Sequence, residues 1–207
     1  FGELALSDHR SSQPTRDEVA RLAADCHVGG LMTGKAGVLH CHMGDGARGL
    51  STIREILETT EIPPRTFHPT HVNRRAGLLD EAFEMTRRGV TIDLTAFPPG
   101  DAVGDEVSAA EALARFLASD LDPARIAVSS DGGGCLPTFD AQGELLRMGF
   151  ATSAALAEML AEMLGAGLAP ETVLPAFTSN PARLLRLGGK GRIAAGASAD
   201  LVVLGAD

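Results

Sequence analysis

VLHCHMGD, residues 38–45, is the stretch that decides the fold. A short β-prone run ends on histidine, and Gly44 and Asp45 then stop the strand and place polar groups just beyond it. Side chains alternate along a strand, so His40 and His42 share one side while Leu39 and Cys41 share the other. The same plan recurs outward in both directions. LAL (4–6) runs into SDHR (7–10), TFHPTH (66–71) into VNR (72–74), and RIAVSSD (125–131) into GGG (132–134), with VTIDLT (90–95) a further apolar strand. Between these runs the apolar residues take helical spacing: Leu50, Ile53, Ile56 and Leu57; Leu78, Leu79, Ala82, Phe83 and Met85; Ala110, Leu113, Ala114 and Leu117.

Strand and helix in alternation imply parallel strands joined by right-handed crossovers. Polar residues end the strand in four of the units, which fits an α/β fold of the (β/α)8 TIM-barrel type, whose active sites sit on that face. An open doubly wound sheet concentrates its ligands at one switch point instead. Past residue 148 the pattern turns helical: FATSAALAEMLAEMLGAG (150–167), PETVLPAF (170–177) and TSNPARLLRL (178–187). Pro170 suits a first helical turn, and Ser179 or Asn180 suits the cap of a helix opened by Pro181. The glycine-rich tail ending in ADLVVLG (199–205) reads as the start of a small β element. The division expected is a barrel part at 1–187 and a small β-sandwich segment at 188–207. The chain opens on an alternating run without methionine and closes on a strand with no successor, so it reads as a fragment whose first barrel strands lie elsewhere.

The formal charge of -9, with basic residues scattered, offers no footprint for phosphate backbones or anionic lipid, so neither nucleic acid nor membrane is an expected partner. Three cysteines, Cys26, Cys41 and Cys135, form no CxxC pair and no disulfide framework, and a reducing cytoplasm is the expected setting. No apolar run approaches the roughly 20 residues that span a bilayer.

His42 and His71 end neighbouring strands, where neutral imidazoles can ligate a divalent metal; two structural histidines are the competing reading. Asp131 is delivered by an apolar strand to a glycine-rich turn, where a carboxylate can ligate metal and move a proton, or merely open an Asx turn. His40 lies one layer deeper than His42 and is read as lining the core, and His27 and His68 are read as structural.

SDHR, HMGD (42–45), PTHVNR (69–74) and SSDGGG (129–134), in this order and at these separations, resemble the isoaspartyl (β-aspartyl) dipeptidases. The segment 178–204 resembles the tail shared across the amidohydrolase superfamily. The resemblance implies that strands four to eight of the barrel are present, with His42, His71 and Asp131 ending strands five, six and eight. It implies two divalent metal ions, zinc by donor type, held by Glu3, His42, His71 and Asp131, with Asp131 also the catalytic proton carrier. Arg10 and Arg74 correspond to arginines that hold substrate carboxylates, a task suited to guanidinium forks.

Two positions depart from that family. Where it carries a carboxylated lysine that bridges two metals, seven residues before the arginine of SDHR, this chain has Glu3, which supplies two oxygens on a shorter arm. Lys35, on the loop before the fifth strand, is a different residue. Cys135 stands where the family places a substrate-binding serine, and a thiol is the weaker donor. The implied reaction is hydrolysis of the β-aspartyl bond of small dipeptides by a homo-oligomeric metallo-dipeptidase, with the fragment inactive alone. Its rivals are another amidohydrolase, dihydroorotase-like or acting on N-acyl amino acids, and a metal-free structural remnant.

Overall fold

The computed structural model describes residues 1–96, 105–140, 142 and 144–205. Five short strands form its interior: β1 (Leu4–Leu6), β2 (Leu39–Met43), β3 (Phe67–Thr70), β4 (Ile92–Thr95) and β5 (Ile126–Ser129). β1, β2 and β3 make one parallel sheet in that order, and β4 and β5 a parallel pair. The register places His42 between Ala5 and Thr70, and His40 opposite His68. Leu39, Cys41 and Met43 are fully buried, and the two histidines between them are not, so the alternation of VLHCHMGD separates a packed face from a polar one.

Helices α1 (Arg16–Thr33), α2 (Ser51–Thr59), α3 (Ala76–Arg87) and α4 (Ala109–Leu117) follow successive strands. Ile53 and Ile56 of α2, Leu78, Leu79 and Met85 of α3, and Leu113 and Phe116 of α4 join the strand residues in one apolar cluster. α1 has no comparable stripe: only Val19, Ala23 and Gly30 are buried. Its ends are defined chemically instead. Thr15 and Glu18 form a reciprocal capping box at the start, and Gly34 turns left-handed at the end.

No backbone ladder joins β3 to β4 among the described residues. Side chains tie the two together. Asp93 of β4 accepts hydrogen bonds from the hydroxyls of Thr70 and Ser129, both at 2.6 Å, and so links three strands. Asn73, just past β3, donates to the carbonyls of Thr95 (3.2 Å) and Val107 (3.1 Å) and accepts from the Thr95 N–H (2.9 Å). Asn73→Ala would strand these buried backbone groups. Each such group costs about 1–3 kcal/mol, so chemical denaturation should show a loss in that range or somewhat above it.

The C-terminal half departs from the pattern read in the sequence in three places. After β5 the chain makes an antiparallel hairpin, β6 (Cys135–Phe139) and β7 (Leu145–Phe150), before the helices α5 (Ala154–Gly165), α6 (Pro170–Phe177) and α7 (Ser179–Leu184). Pro170 does open α6. Helix α7, however, starts at Ser179 rather than Pro181, so neither Ser179 nor Asn180 caps it. Asn180 donates instead to the carbonyls of Pro123 and Ile126, both at 2.8 Å, and so anchors α7 to the foot of β5. Residues 199–205 form no strand, and Leu201, Val202 and Val203 are exposed; a strand needs a partner, and none is beside them among the described residues. Asp207 and Ala206, the last of that tail, lie outside the described residues. No described helix is long and apolar enough to cross a membrane.

Candidate metal centre

The three residues read as ligands from strands one to three of the chain do converge. One ligand atom from each of Glu3, His42 and His71 lies within 4.8 Å of the others. Glu3 precedes β1, His42 is the fourth residue of β2, and His71 follows β3 in a left-handed turn with φ 60° that closes the strand one residue earlier than its apolar run suggests. The Glu3 Oε2 atom is 3.5 Å from His42 Nδ1, and Oε1 is 3.9 Å from His71 Nε2. The neighbouring His40 and His42 hold the Glu3 carboxyl well below the usual carboxylate range, so it is an anion. Burial, assisted by His42 and Arg74, pushes His71 down to about 3, so its ring is neutral.

The far side of each imidazole is also occupied. His42 Nε2 lies 3.1 Å from Asp8 Oδ2, and His71 Nδ1 lies 2.6 Å from the Thr95 hydroxyl. Outer partners of this kind fix the orientation of ligating histidines. Two imidazole nitrogens, each oriented from behind, and a carboxylate make a donor set that fits a zinc-like divalent ion.

Asp131 follows β5 in a left-handed turn, φ 51°. Its carboxyl is raised above the ordinary value by burial first and by the charge of Glu3 next, while His42, Arg74 and His40 pull it down. It therefore sits in the field of the cluster without being one of the three close donors. A Cβ on Gly134 would stand 2.6 Å from Asp131 Oδ2, so any larger residue there would push the carboxyl from its place.

Arg10 and Arg74 meet at a residue the sequence reading passed over. Asp8 is only 3 % exposed. Arg10 grips it through Nε (3.1 Å) and Nη2 (2.8 Å), and Arg74 Nη1 is 4.0 Å away. Arg10 is the main reason the Asp8 carboxyl lies well below its usual range. One buried carboxylate thus connects a candidate ligand, His42, to both candidate substrate arginines. Its signal in the sequence is an acid two residues before an arginine at a strand end. Cys135 is exposed at the start of β6.

Asp93 is the other buried acid among the described residues, 2 % exposed, and burial raises it from 3.8 to about 7 against the opposing hydrogen bonds of Ser129 and Thr70. A carboxyl whose pKa is higher folded than unfolded stabilises the fold below its unfolded pKa, and that contribution is lost as pH rises towards 7. Asp93→Asn keeps an oxygen for both hydroxyls and cannot ionise. Thermal melts should therefore show the variant gaining on the parent between pH 5 and pH 8; an unchanged difference would mean that Asp93 does not titrate in this window.

The amidohydrolase family profile matches residues 34–207. Among solved structures, a β-aspartyl dipeptidase from thermophilic keratin-degrading Fervidobacterium islandicum AW-1, in complex with β-Asp-Leu dipeptide, is 40 % identical with a TM-score of 0.87; the match covers 96 % of this chain and 51 % of that one. A second structure of β-aspartyl dipeptidase from the same organism is 38 % identical with a TM-score of 0.82, over 96 % of this chain and 49 % of that one. The chain thus spans about half the length of these proteins. The profile match covers far more than half of the sequence and includes His42, His71 and Asp131, and on that ground the chain belongs to the amidohydrolase family.

Proposed function

We propose that this chain carries strands four to eight of a (β/α)8 barrel and the corresponding part of the active site of a metal-dependent β-aspartyl dipeptidase. The observation that carries the reading is the convergence of Glu3, His42 and His71 beside a paired Arg10 and Arg74. Glu3, His42 and His71 would hold divalent metal, Glu3 through its carboxylate. When bound, a divalent ion of this kind supplies Lewis-acid polarisation and a more acidic water.

The remaining chemistry falls to the protein's own groups. Amide hydrolysis requires a proton to leave the attacking water and to reach the departing amine. Asp131, raised by burial and by Glu3 but still a carboxyl, is the group in the neighbourhood suited to accept that proton and return it. Asp8 holds Arg10 from one side and leaves the rest of its half-exposed fork for an incoming carboxylate. A β-aspartyl dipeptide carries two carboxylates, the free α-carboxylate of its aspartyl residue and its C-terminus. Two neighbouring guanidinium groups match that pair better than they match an uncharged cyclic amide. Cys135, exposed at the start of β6, would make the weaker contact expected of a thiol.

The test uses the intact protein, freed of metal and reloaded. β-Asp-Leu should be cleaved, α-Asp-Leu should not, and a chelator should abolish turnover that zinc restores. Preference for cyclic amides or N-acyl amino acids would assign the site to another amidohydrolase, and absence of stoichiometric metal would assign the chain to the structural remnant.

A further inference from the structure

Behind the candidate centre lies a histidine pair that the reaction as described does not use. His40 Nε2 is 3.3 Å from Glu3 Oε1, and His40 Nδ1 is 2.8 Å from Nδ1 of His68. The two rings are 24° from coplanar with centroids 4.9 Å apart, an arrangement in which the nitrogens meet edge to edge. Strand register puts them there, since His40 of β2 and His68 of β3 are opposite each other. The chain is fitted to His40 from the other side too: a Cβ on Gly2, next to Glu3, would lie 2.6 Å from the His40 Cβ.

A hydrogen bond between two neutral imidazoles through Nδ1 needs one donor and one acceptor, and two arrangements exist. If His40 donates, its Nε2 is bare and points a lone pair at the Glu3 carboxylate, and His68 is left with a buried Nε2–H. His68 is 6 % exposed, and its Nε2 has no partner among the described residues. If His68 donates, His40 carries its proton on Nε2 and gives it to Glu3 in a charge-assisted hydrogen bond. Only an acceptor lone pair on His68 then goes unused, and a buried acceptor without a partner is tolerated better than a buried donor without one. The second arrangement wins on both counts.

We infer that His40, with its tautomer set by His68, is a positioning residue that donates from Nε2 to Glu3 and holds that carboxylate turned toward His42 and His71. The role rests on the metal reading of Glu3. It gives Glu3 the outer partner that His42 finds in Asp8 and His71 in Thr95.

The test combines long-range proton–nitrogen NMR of the imidazoles at pH 8 with zinc affinity measured by chelator competition, in the intact protein. Wild type should show His40 protonated on Nε2 and His68 on Nδ1. His40→Leu should bind zinc about 10- to 100-fold more weakly, the range for lost outer partners. His40→Gln, whose amide can donate to Glu3, should recover most of the loss. His68→Leu should weaken binding less, and the double variant His40→Leu with His68→Leu should be no weaker than His40→Leu alone, because His68 acts through His40. A merely structural pair would lower the melting temperature and leave zinc affinity intact in every folded variant. His40 protonated on Nδ1 in wild type, or wild-type zinc affinity in folded His40→Leu, overturns the inference alone. Wild-type protein that takes up no zinc overturns the proposed function, and the role of the pair with it.

Discussion

Glu3→Gln in the intact protein is expected to lose metal and turnover together. The substitution keeps the shape of the side chain and removes one negative charge from the centre of a cluster whose other close donors are imidazoles, that of His71 neutral through burial. Loss of an outer partner costs metal affinity about 10- to 100-fold, and loss of an anionic inner ligand should cost more than that. Turnover should fall at least in proportion at limiting zinc. Glu3→Lys tests the same position from the opposite side. A lysine there puts a cation where the anion stood, and only capture of carbon dioxide would give back a two-oxygen anion, so its activity should depend on added bicarbonate. If instead Glu3 only pairs with His40 and His42 in the folded chain, Glu3→Gln would lower stability and leave zinc content at the wild-type level. Zinc content by elemental analysis, read beside the unfolding midpoint, separates the two.

His42 and His71 were legible in the sequence because parallel strands repeat one design, whereas Glu3, which precedes β1, was placed only by the family resemblance. Each unit spends its apolar residues on the strand and places its polar residue at the end, so a strand-end histidine in VLHCHMGD and another in TFHPTH are brought together by the topology alone. Asp8 was hidden for the opposite reason. Its neighbour Arg10 invites a substrate role, and nothing in SDHR says that the acid two residues away folds back on that arginine while also reaching His42 from the adjacent strand. The contact is tertiary, and periodicity carries no record of it.

Element boundaries failed where local pattern is ambiguous. The hairpin strand β7, LLRMGF, has no strict alternation of exposure: five of its six residues are exposed, so it shows neither a strand's nor a helix's buried face, and it joins visually to the apolar helix that follows. α1 lacked an apolar stripe and was detectable only through Thr15 and Glu18, the two ends of a capping box. The tail 199–205 has β-prone composition, but a strand exists only through its pairing, and composition cannot supply the neighbour.

Asp131→Asn should separate the second half of the proposed chemistry from the first. Asparagine is nearly the same size and fits against Gly134 as aspartate does, but it cannot take a proton from water or return one to an amine. Loss of a positioned general base and acid typically costs about 10²- to 10⁴-fold in rate, and kcat for β-Asp-Leu should fall within that span. Metal content is the deciding companion measurement. Asp131 lies in the field of Glu3, His42 and Arg74 yet outside the close donor triad, so the variant should keep its zinc while losing its rate. Zinc lost in step with activity would make Asp131 a ligand first and a proton carrier second. A rate within a few-fold of wild type would remove it from the chemistry and leave the proton transfer to another residue. KM should barely move in the first two cases if, as proposed, Arg10 and Arg74 hold the carboxylates of the dipeptide, since both are paired to Asp8 rather than Asp131.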